Sequence, residues 1–299
     1  MRSAPETPFK LLLAGHDTIE ACYYLRASFG RGFEVDRLTA QKETLRQSKV
    51  KDPLPVAVGG MNFLLLRYGS SKGFPLVLSN ADFTIEFGEF NDPSFYVTYR
   101  SEALWREGAF ALHERFLNWA LAQGFYEYRP ESLSRVDWTF DYHVPVLDFD
   151  EDNFVTLADK DSTYRKNRTA QGFNFGVGDV RLRCYDKVAE ILEESLKVWF
   201  FELWGRDSEV WRIEWQCRKE LLRRFGIRTY ANLRDLQGDA LRYLATDHDT
   251  LRVKTEDSNR SRWPLHPLWI DLQAQISQFD AQIAAGNGFM TEFPYERLL

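Results

Sequence analysis

From Val56 onward, apolar and polar positions alternate in short runs that predict strands. The runs "MNFLLLRYG" and "GFPLVLSN" flank "SSK" and read as a hairpin. In "DFTIEFGEF", Phe83, Ile85 and Phe87 share one face, and Asp82, Thr84 and Glu86 share the other. "SFYVTYR" is a further strand. The period then lengthens to that of a helix. Ser101 caps a predicted helix through about Gln123, with Trp105, Ala109, Leu112, Phe116 and Trp119 on one stripe and Gly124 as its stop. "SRVDWTFDYHV" returns to a strand. Residues 148–170, acidic and then basic and polar, read as a long connection. "FNFGVG" and "VRLRCYDK" are strands. "DKVAEILEESLKVWFFELW" predicts one helix, with Val188, Ile191, Leu192, Leu196, Trp199, Phe200 and Leu203 on a common face. "EVWRIEWQCR" is a strand, and "KELLRRF" and "YANLRDLQGDALRYLA" are short helices.

The ends differ in texture. Residues 1–54 read as an N-terminal extension with a short helix at 18–29. Residues 255–299 read as a linker followed by a terminal helix from Trp269. Between them lies a domain at 55–254. It holds a faint repeat of strand with tyrosine, helix, and strand with the pattern Arg-aliphatic-acid-Trp. The tyrosines are Tyr99 and Tyr185, and the tetrapeptides are Arg135–Trp138 and Arg212–Trp215. The repeat predicts two related halves, about 55–147 and 170–250, whose Arg-x-acid-Trp strands lie near each other. The predicted class is α+β, a mainly antiparallel curved sheet with helices packed on one side.

Alternation gives three strands a polar face. One carries Arg135, Asp137, Thr139, Asp141 and His143. A second carries Arg181, Arg183, Tyr185 and Lys187. The third carries Arg212, Glu214, Gln216 and Arg218. The opposite faces, such as Val136, Trp138, Phe140, Tyr142 and Val144, are the expected core. A solvated sheet face with cross-strand ion pairs is the plain reading of such a pattern.

Composition narrows the picture. With 299 residues, 44% hydrophobic and 27% charged, the chain can bury a large core. Three scattered cysteines exclude a disulfide framework and a CxxC zinc site. No apolar run approaches the roughly 20 residues of a spanning helix, so a cytoplasmic protein without a membrane partner is expected. The net charge of −6 hides a basic segment: residues 160–230 hold 15 basic and 11 acidic side chains. Local charge, rather than the total, governs phosphate contact.

Two chemistries suit these faces. Asp137 and Asp141 lie about 13 Å apart in a regular strand, too far for one ion, whereas neighbouring strands are about 4.8 Å apart. Asp137 or Asp141 with Glu214 is therefore the better Mg2+ or Mn2+ site, the repeat favouring Asp137–Glu214, with Glu190 as a further ligand. Tyr185 is a candidate nucleophile. Its phenol ordinarily titrates near pH 10, but Arg183 and Lys187 favour the phenolate and can bind a phosphate under attack.

The strands "SRVDWTFD", "GFNFGVGDVRLRCYDKVAEI" and "WRIEWQCRKELLRRF" resemble the replication initiation factor family of rolling-circle plasmids and some phages. Arg135, Asp137 and Asp141, then Arg183, Tyr185, Lys187 and Glu190, then Arg212 and Glu214 fall in that family's order. The resemblance runs from about Val56 to Phe225. It implies a metal-assisted strand transferase whose tyrosine, Tyr185, nicks an origin, keeps the 5′ end and frees a 3′ hydroxyl primer. It also implies origin DNA, single-stranded or as a hairpin, as partner, with a host helicase and a homodimer. The chain departs from relaxase-type initiators, because its five histidines contain no His-hydrophobic-His pair. DNA contact falls to Arg135, Arg165, Lys166, Arg168, Arg181, Arg212 and Arg218, with Arg223, Arg224 and Arg228 nearby in sequence. Tyr99, Tyr142 and Tyr164 are reserve nucleophiles. A metal-dependent nuclease using water and a non-enzymatic DNA-binding protein are the competing readings.

Overall fold

The computed structural model describes residues 8–49 and 51–284, with side chains to residue 277. The outer parts of both terminal segments read from the sequence lie outside the described residues. The chain forms two compact units. Unit 2 comprises His16–Val136 and Arg228–Ala231. Unit 1 comprises the described residues up to Gly15, Asp137–Ile227, and those from Asn232 on. The α+β class and the mainly antiparallel pairing agree with the sequence pattern.

Two long strands, β1 (Lys10–Ala27) and β7 (Phe125–His143), belong to both units. In unit 2 the strand order is β2 (Leu54–Val58), β3 (Met61–Leu65), β4 (Leu76–Ser79), β5 (Phe83–Phe87), β6 (Phe95–Tyr99), β1, β7. The expected hairpin is the β3–β4 pair. Helix α1 (Val35–Gln47) follows β1. The helix expected over 101–123 is two, α2 (Ser101–Glu107) and α3 (Ala109–Ala122). Gly108 divides them with φ 81° and ψ 160°, a backbone state that glycine adopts without strain. Phe33, Phe87, Phe95, Phe116, Trp119 and Phe125 interlock as the core.

The short helix expected at 18–29 is strand. Ile19, Ala21, Tyr23 and Leu25 are buried on one face of β1, while Glu20, Cys22, Tyr24 and Arg26 alternate with them. This period of two lies in the sequence but is masked by the apolar residues on both faces. Pairing with β6 decides in favour of strand.

In unit 1 the order is β7, β12 (Val210–Arg218), β11 (Val180–Asp186), β10 (Thr169–Phe175), β9 (Asp161–Lys166). A second small sheet pairs β8 (Phe154–Thr156) with β13 (Asp249–Leu251). The segment expected to be a long connection thus contains β8 and most of the β9–β10 hairpin. Its turn uses Asn167 and Arg168 at φ 49° and 70°, without the glycine that would have announced it. The remaining helices are α4 (Lys187–Glu190), α5 (Trp199–Trp204), α6 (Lys219–Arg224), α7 (Tyr230–Tyr243) and α8 (Pro267–Ala284).

The expected core face of β7, Val136, Trp138, Phe140, Tyr142 and Val144, is buried. Trp138 donates to Gln237 of α7 (3.1 Å), Tyr142 to Asp271 of α8 (2.8 Å) and Trp215 to Asp249 (2.8 Å). The single helix expected over 186–204 is broken. After α4 comes a π-helical turn, Ile191–Ser195, and Leu196 then turns left-handed at φ 55° before α5. Leu192 and Leu196 of the expected stripe are exposed. The break brings Phe200 over Arg212 and Trp204 onto Asp141, and the polar side is buried rather than solvated: Asp137, Thr139, Asp141, Arg212, Glu214 and Gln216 are all buried.

Candidate functional site

Strand parity places Arg183 and Tyr185 on the same side of β11, facing β12. In the antiparallel register Tyr185 lies opposite Arg212 and Arg183 opposite Glu214. The Arg183–Glu214 bond runs directly across the register, and the Tyr185–Glu214 bond runs diagonally. The Tyr185 hydroxyl donates to Glu214 Oε2 at 2.9 Å, and Arg183 Nη1 donates to Glu214 Oε1 at 3.1 Å. Glu214 is buried, Tyr185 is 8% exposed, and the Arg183 Cζ lies 4.6 Å from the Tyr185 ring centroid. Burial of Arg183 works against its charge, but Glu214 and Tyr185 beside it hold the guanidinium even more firmly protonated than usual.

On the other side of β11, Gly172 of β10 is the register partner of Tyr185. A Cβ on Gly172 would come within 2.9 Å of the Tyr185 Cβ. The glycine therefore sets the position of the tyrosine. Gly172→Ala is expected to destabilise the protein by about 1–3 kcal/mol through overpacking. Thermal unfolding of the variant, with the near-ultraviolet tyrosine signal, checks this.

Asp186 ends the strand and caps α4 by accepting from the Ala189 N–H at 3.0 Å. Burial raises its carboxyl pKa, and the backbone donors of Ala189 and Val188 oppose that rise. Lys187 is buried. Its ammonium pairs with Glu190 Oε2 at 2.6 Å and lies 5.6 Å from the Tyr185 ring centroid. A cleft of about 220 Å³ opens here, lined by Tyr164, Gly172, Arg183, Tyr185, Glu190 and Glu193 among others. Asp186 and Glu194 also line it, which makes it richer in carboxylates than the basic segment suggested. Lys187 neutralises Glu190, and Lys166 pairs with Glu193.

The three residues expected to do the chemistry, Tyr185, Arg183 and Lys187, are thus brought together. Of the expected metal ligands, Asp141 is engaged elsewhere. Asp141 accepts from Arg212 Nε at 2.6 Å and Nη2 at 2.8 Å, and its Oδ2 also accepts from Trp204 Nε1 at 3.0 Å. Neither Asp141 nor Arg212 has measurable exposure. Asp141 is therefore a buried counter-ion and not a metal ligand, and Arg212 cannot touch DNA. Strand parity had placed both correctly but could not reveal the roof. Glu190 is taken by Lys187, and Glu214 by Tyr185 and Arg183. Asp137 is buried on β7. Among the described residues no group of three or more His, Cys, Asp or Glu side chains is placed to hold a metal ion.

The basic residues are dispersed. Arg165 pairs with Glu151 at 2.5 Å, and Lys166 and Arg168 sit at the tip of the β9–β10 hairpin. Arg181 donates to the Gly176 carbonyl, and Arg218 is exposed at the end of β12. Arg135 pairs with Glu20 at 3.5 Å in unit 2. His143 pairs with Glu209 at 3.0 Å, away from any ligand cluster. Of the reserve tyrosines, Tyr99 is buried against Tyr23 and Tyr142 is buried on Asp271, whereas Tyr164 is exposed and shares the cleft with Tyr185. Sequence reasoning missed Gly172, whose "QGF" context carries a strand-interior glycine as its only signal. It also missed Glu193 and Glu194, which the broken helix turns toward the cleft.

No family model matches the chain, and no curated protein matches it. Among solved structures, the fold is similar to that of a rolling circle replication initiator protein from Geobacillus stearothermophilus, with a TM-score of 0.51 and 16% identity. The match covers 90% of this chain and 97% of that one. Among the described residues no helix is long and apolar enough to cross a membrane.

Proposed function

We propose that this chain is a rolling-circle replication initiator that nicks one strand of origin DNA through Tyr185. The observation that carries the reading is the Tyr185–Glu214 hydrogen bond beside Arg183 at a cleft. The shared fold with an initiator protein supports it. In this reading Glu214 takes the phenolic proton as the Tyr185 oxygen attacks a phosphorus atom. Arg183, about one-third exposed beside the ring, stabilises charge gathering on the phosphoryl oxygens. The P–O3′ bond breaks, the 3′ oxygen takes a proton and becomes a primer, and the 5′ phosphate stays on Tyr185. No step of this reading runs through a metal ion.

Incubating the protein with single-stranded origin DNA should yield a denaturation-resistant adduct whose modified peptide contains Tyr185. Cleavage without an adduct would point to hydrolysis by water. DNA binding without cleavage, with or without added Mg2+ or Mn2+, would leave a binding protein. Repeating the cleavage in a chelator reads the metal requirement directly. Glu214→Gln keeps the shape of the site but removes the base. Single-turnover kinetics should show nicking slowed by about 10²-fold or more, as expected for loss of a general base, with DNA affinity retained.

A further inference from the structure

Unit 2 contains a tyrosine, carboxylate and arginine joined much as those beside the cleft in unit 1 are. Counting outward from β7, the first neighbouring strand in unit 1 is β12, which bears Glu214, and the second is β11, which bears Tyr185. In unit 2 the first is β1, which bears Glu20, and the second is β6, which bears Tyr96. The Tyr96 hydroxyl donates to Glu20 Oε2, as that of Tyr185 does to Glu214 Oε2. An arginine holds the other carboxylate oxygen each time, from β7 in unit 2 and from the tyrosine's own strand β11 in unit 1. Arg135 Nη1 lies 3.5 Å from Glu20 Oε1, and Arg183 Nη1 lies 3.1 Å from Glu214 Oε1. Both tyrosine–carboxylate bonds run diagonally, two residues off register: Tyr96 lies opposite Cys22, and Tyr185 opposite Arg212.

A cation also lies over each ring. Lys72 Nζ lies 3.9 Å from the Tyr96 ring centroid, and its side chain is 41% exposed. Lys72 also pairs with Glu86 Oε1 at 2.7 Å, as Lys187 pairs with Glu190. The second oxygen of Glu86 is buried and has no hydrogen-bond partner, although Glu86 is the register partner of Tyr96 on β5. That leaves an unused acceptor beside the tyrosine. The two tyrosines are equally exposed, at 8%.

The same side of β1 continues from Glu20 through Cys22 to Tyr24 and Arg26. Tyr24 packs against the cluster of Cys22, Phe74 and Tyr96. Arg129 stacks 3.5 Å over Tyr24, Arg26 stacks 4.2 Å over Tyr128, and the two tyrosine rings meet edge to face at 6.3 Å. Arg26 has no carboxylate partner among the described residues, whereas Arg129 shares Asp92 with the Tyr128 hydroxyl. Aromatic faces interleaved with arginines suit the bases and backbone of a single strand, because every base has a π-face to stack and every linkage a negative charge.

From this correspondence we infer that Tyr96 is a second strand-transfer nucleophile, served by single-stranded DNA lying along Tyr24 and Tyr128. The inference rests on the reading of Tyr185 for its chemistry. The Tyr96 oxygen bonds to phosphorus, the P–O3′ bond breaks, Glu20 takes the phenolic proton, and the leaving 3′ oxygen is protonated by water. Burial and Glu20 push the Tyr96 phenol above its usual pKa, so the proton stays until the base accepts it. With two such tyrosines one chain holds two 5′ ends at once, and a displaced strand is cut a second time without a second copy.

The test uses the full chain, a random-sequence single-stranded DNA library and buffer containing both Mg2+ and Mn2+. Adducts are recovered after denaturation, and the modified tyrosines are mapped by mass spectrometry. The parent should give adducts at both Tyr185 and Tyr96, Tyr185→Phe should retain only the Tyr96 adduct, and Tyr96→Phe only the Tyr185 adduct. Glu20→Gln should lower the Tyr96 adduct at least tenfold and leave the Tyr185 adduct unchanged, a comparison that needs no change to the tyrosine itself. Adducts at Tyr185 alone, in parent and Glu20→Gln alike, overturn the second site and leave the first standing. Adducts at Tyr96 alone do the reverse. No adduct at either position overturns both.

Discussion

Tyr185→Phe is expected to abolish the covalent adduct at position 185 while DNA affinity and fold persist. The loss should be complete and not graded, because phenylalanine has no oxygen to attack phosphorus. The fold should tolerate the change. The variant gives up one hydrogen bond, a net contribution of about 0.5–1.5 kcal/mol, and the Arg183–Glu214 pair remains. The ring still fills the space beside Gly172. Peptide mapping of the adduct, with filter binding and thermal unfolding as controls, checks all three outcomes. Undiminished adduct formation at the equivalent peptide would remove Tyr185 from the mechanism, and Tyr164, exposed in the same cleft, would be the residue to replace next.

Asp141→Asn should have the largest effect on stability, about 3–5 kcal/mol, because it leaves a buried guanidinium without its counter-charge. Arg212 and Asp141 have no measurable exposure and are joined by two hydrogen bonds, with Trp204 donating to the same carboxylate. The midpoint of urea unfolding, followed by tryptophan fluorescence, measures the loss. Replacing both partners by apolar residues of similar volume, Asp141→Leu with Arg212→Met, should recover much of it. Such a replacement avoids the desolvation that the pair opposes. If Asp141→Asn unfolds like the parent, the pair contributes little and the roof formed by Phe200 and Trp204 holds by packing alone.

The legible part of the site followed from strand parity. Alternation in "VRLRCYDK" put Arg183 and Tyr185 on one side, and alternation in "WRIEWQCR" put Glu214 on the matching side. The structure joins these residues within hydrogen-bond distance. Parity failed where the question was what lies over a face. It assigned Asp141 and Arg212 to a polar side but could not distinguish a solvated side from one roofed by α5. The roof depends on Leu196 turning left-handed, which breaks an otherwise continuous helical stripe. No local propensity announces that break, since leucine is a good helix former. The same limit applies to β1. Apolar residues occur on both of its faces, Cys22 and Tyr24 among the polar set, so periodicity was ambiguous until β6 supplied a partner.

The sequence by itself determined which residues form strands around the site and which side each residue takes, because side-chain direction in a strand repeats every two residues whatever surrounds it. It also determined the order of the chemical residues along the chain. The tertiary structure alone decided their charge partners. Strands far apart in sequence become neighbours only through the register of the sheet, and the register sets whether a carboxylate meets a phenol or a guanidinium. Thus Glu214 receives Tyr185, while Asp141 is consumed by Arg212. The fold likewise set Glu20 beside Tyr96, a pairing separated by 76 positions that no local pattern foreshadows.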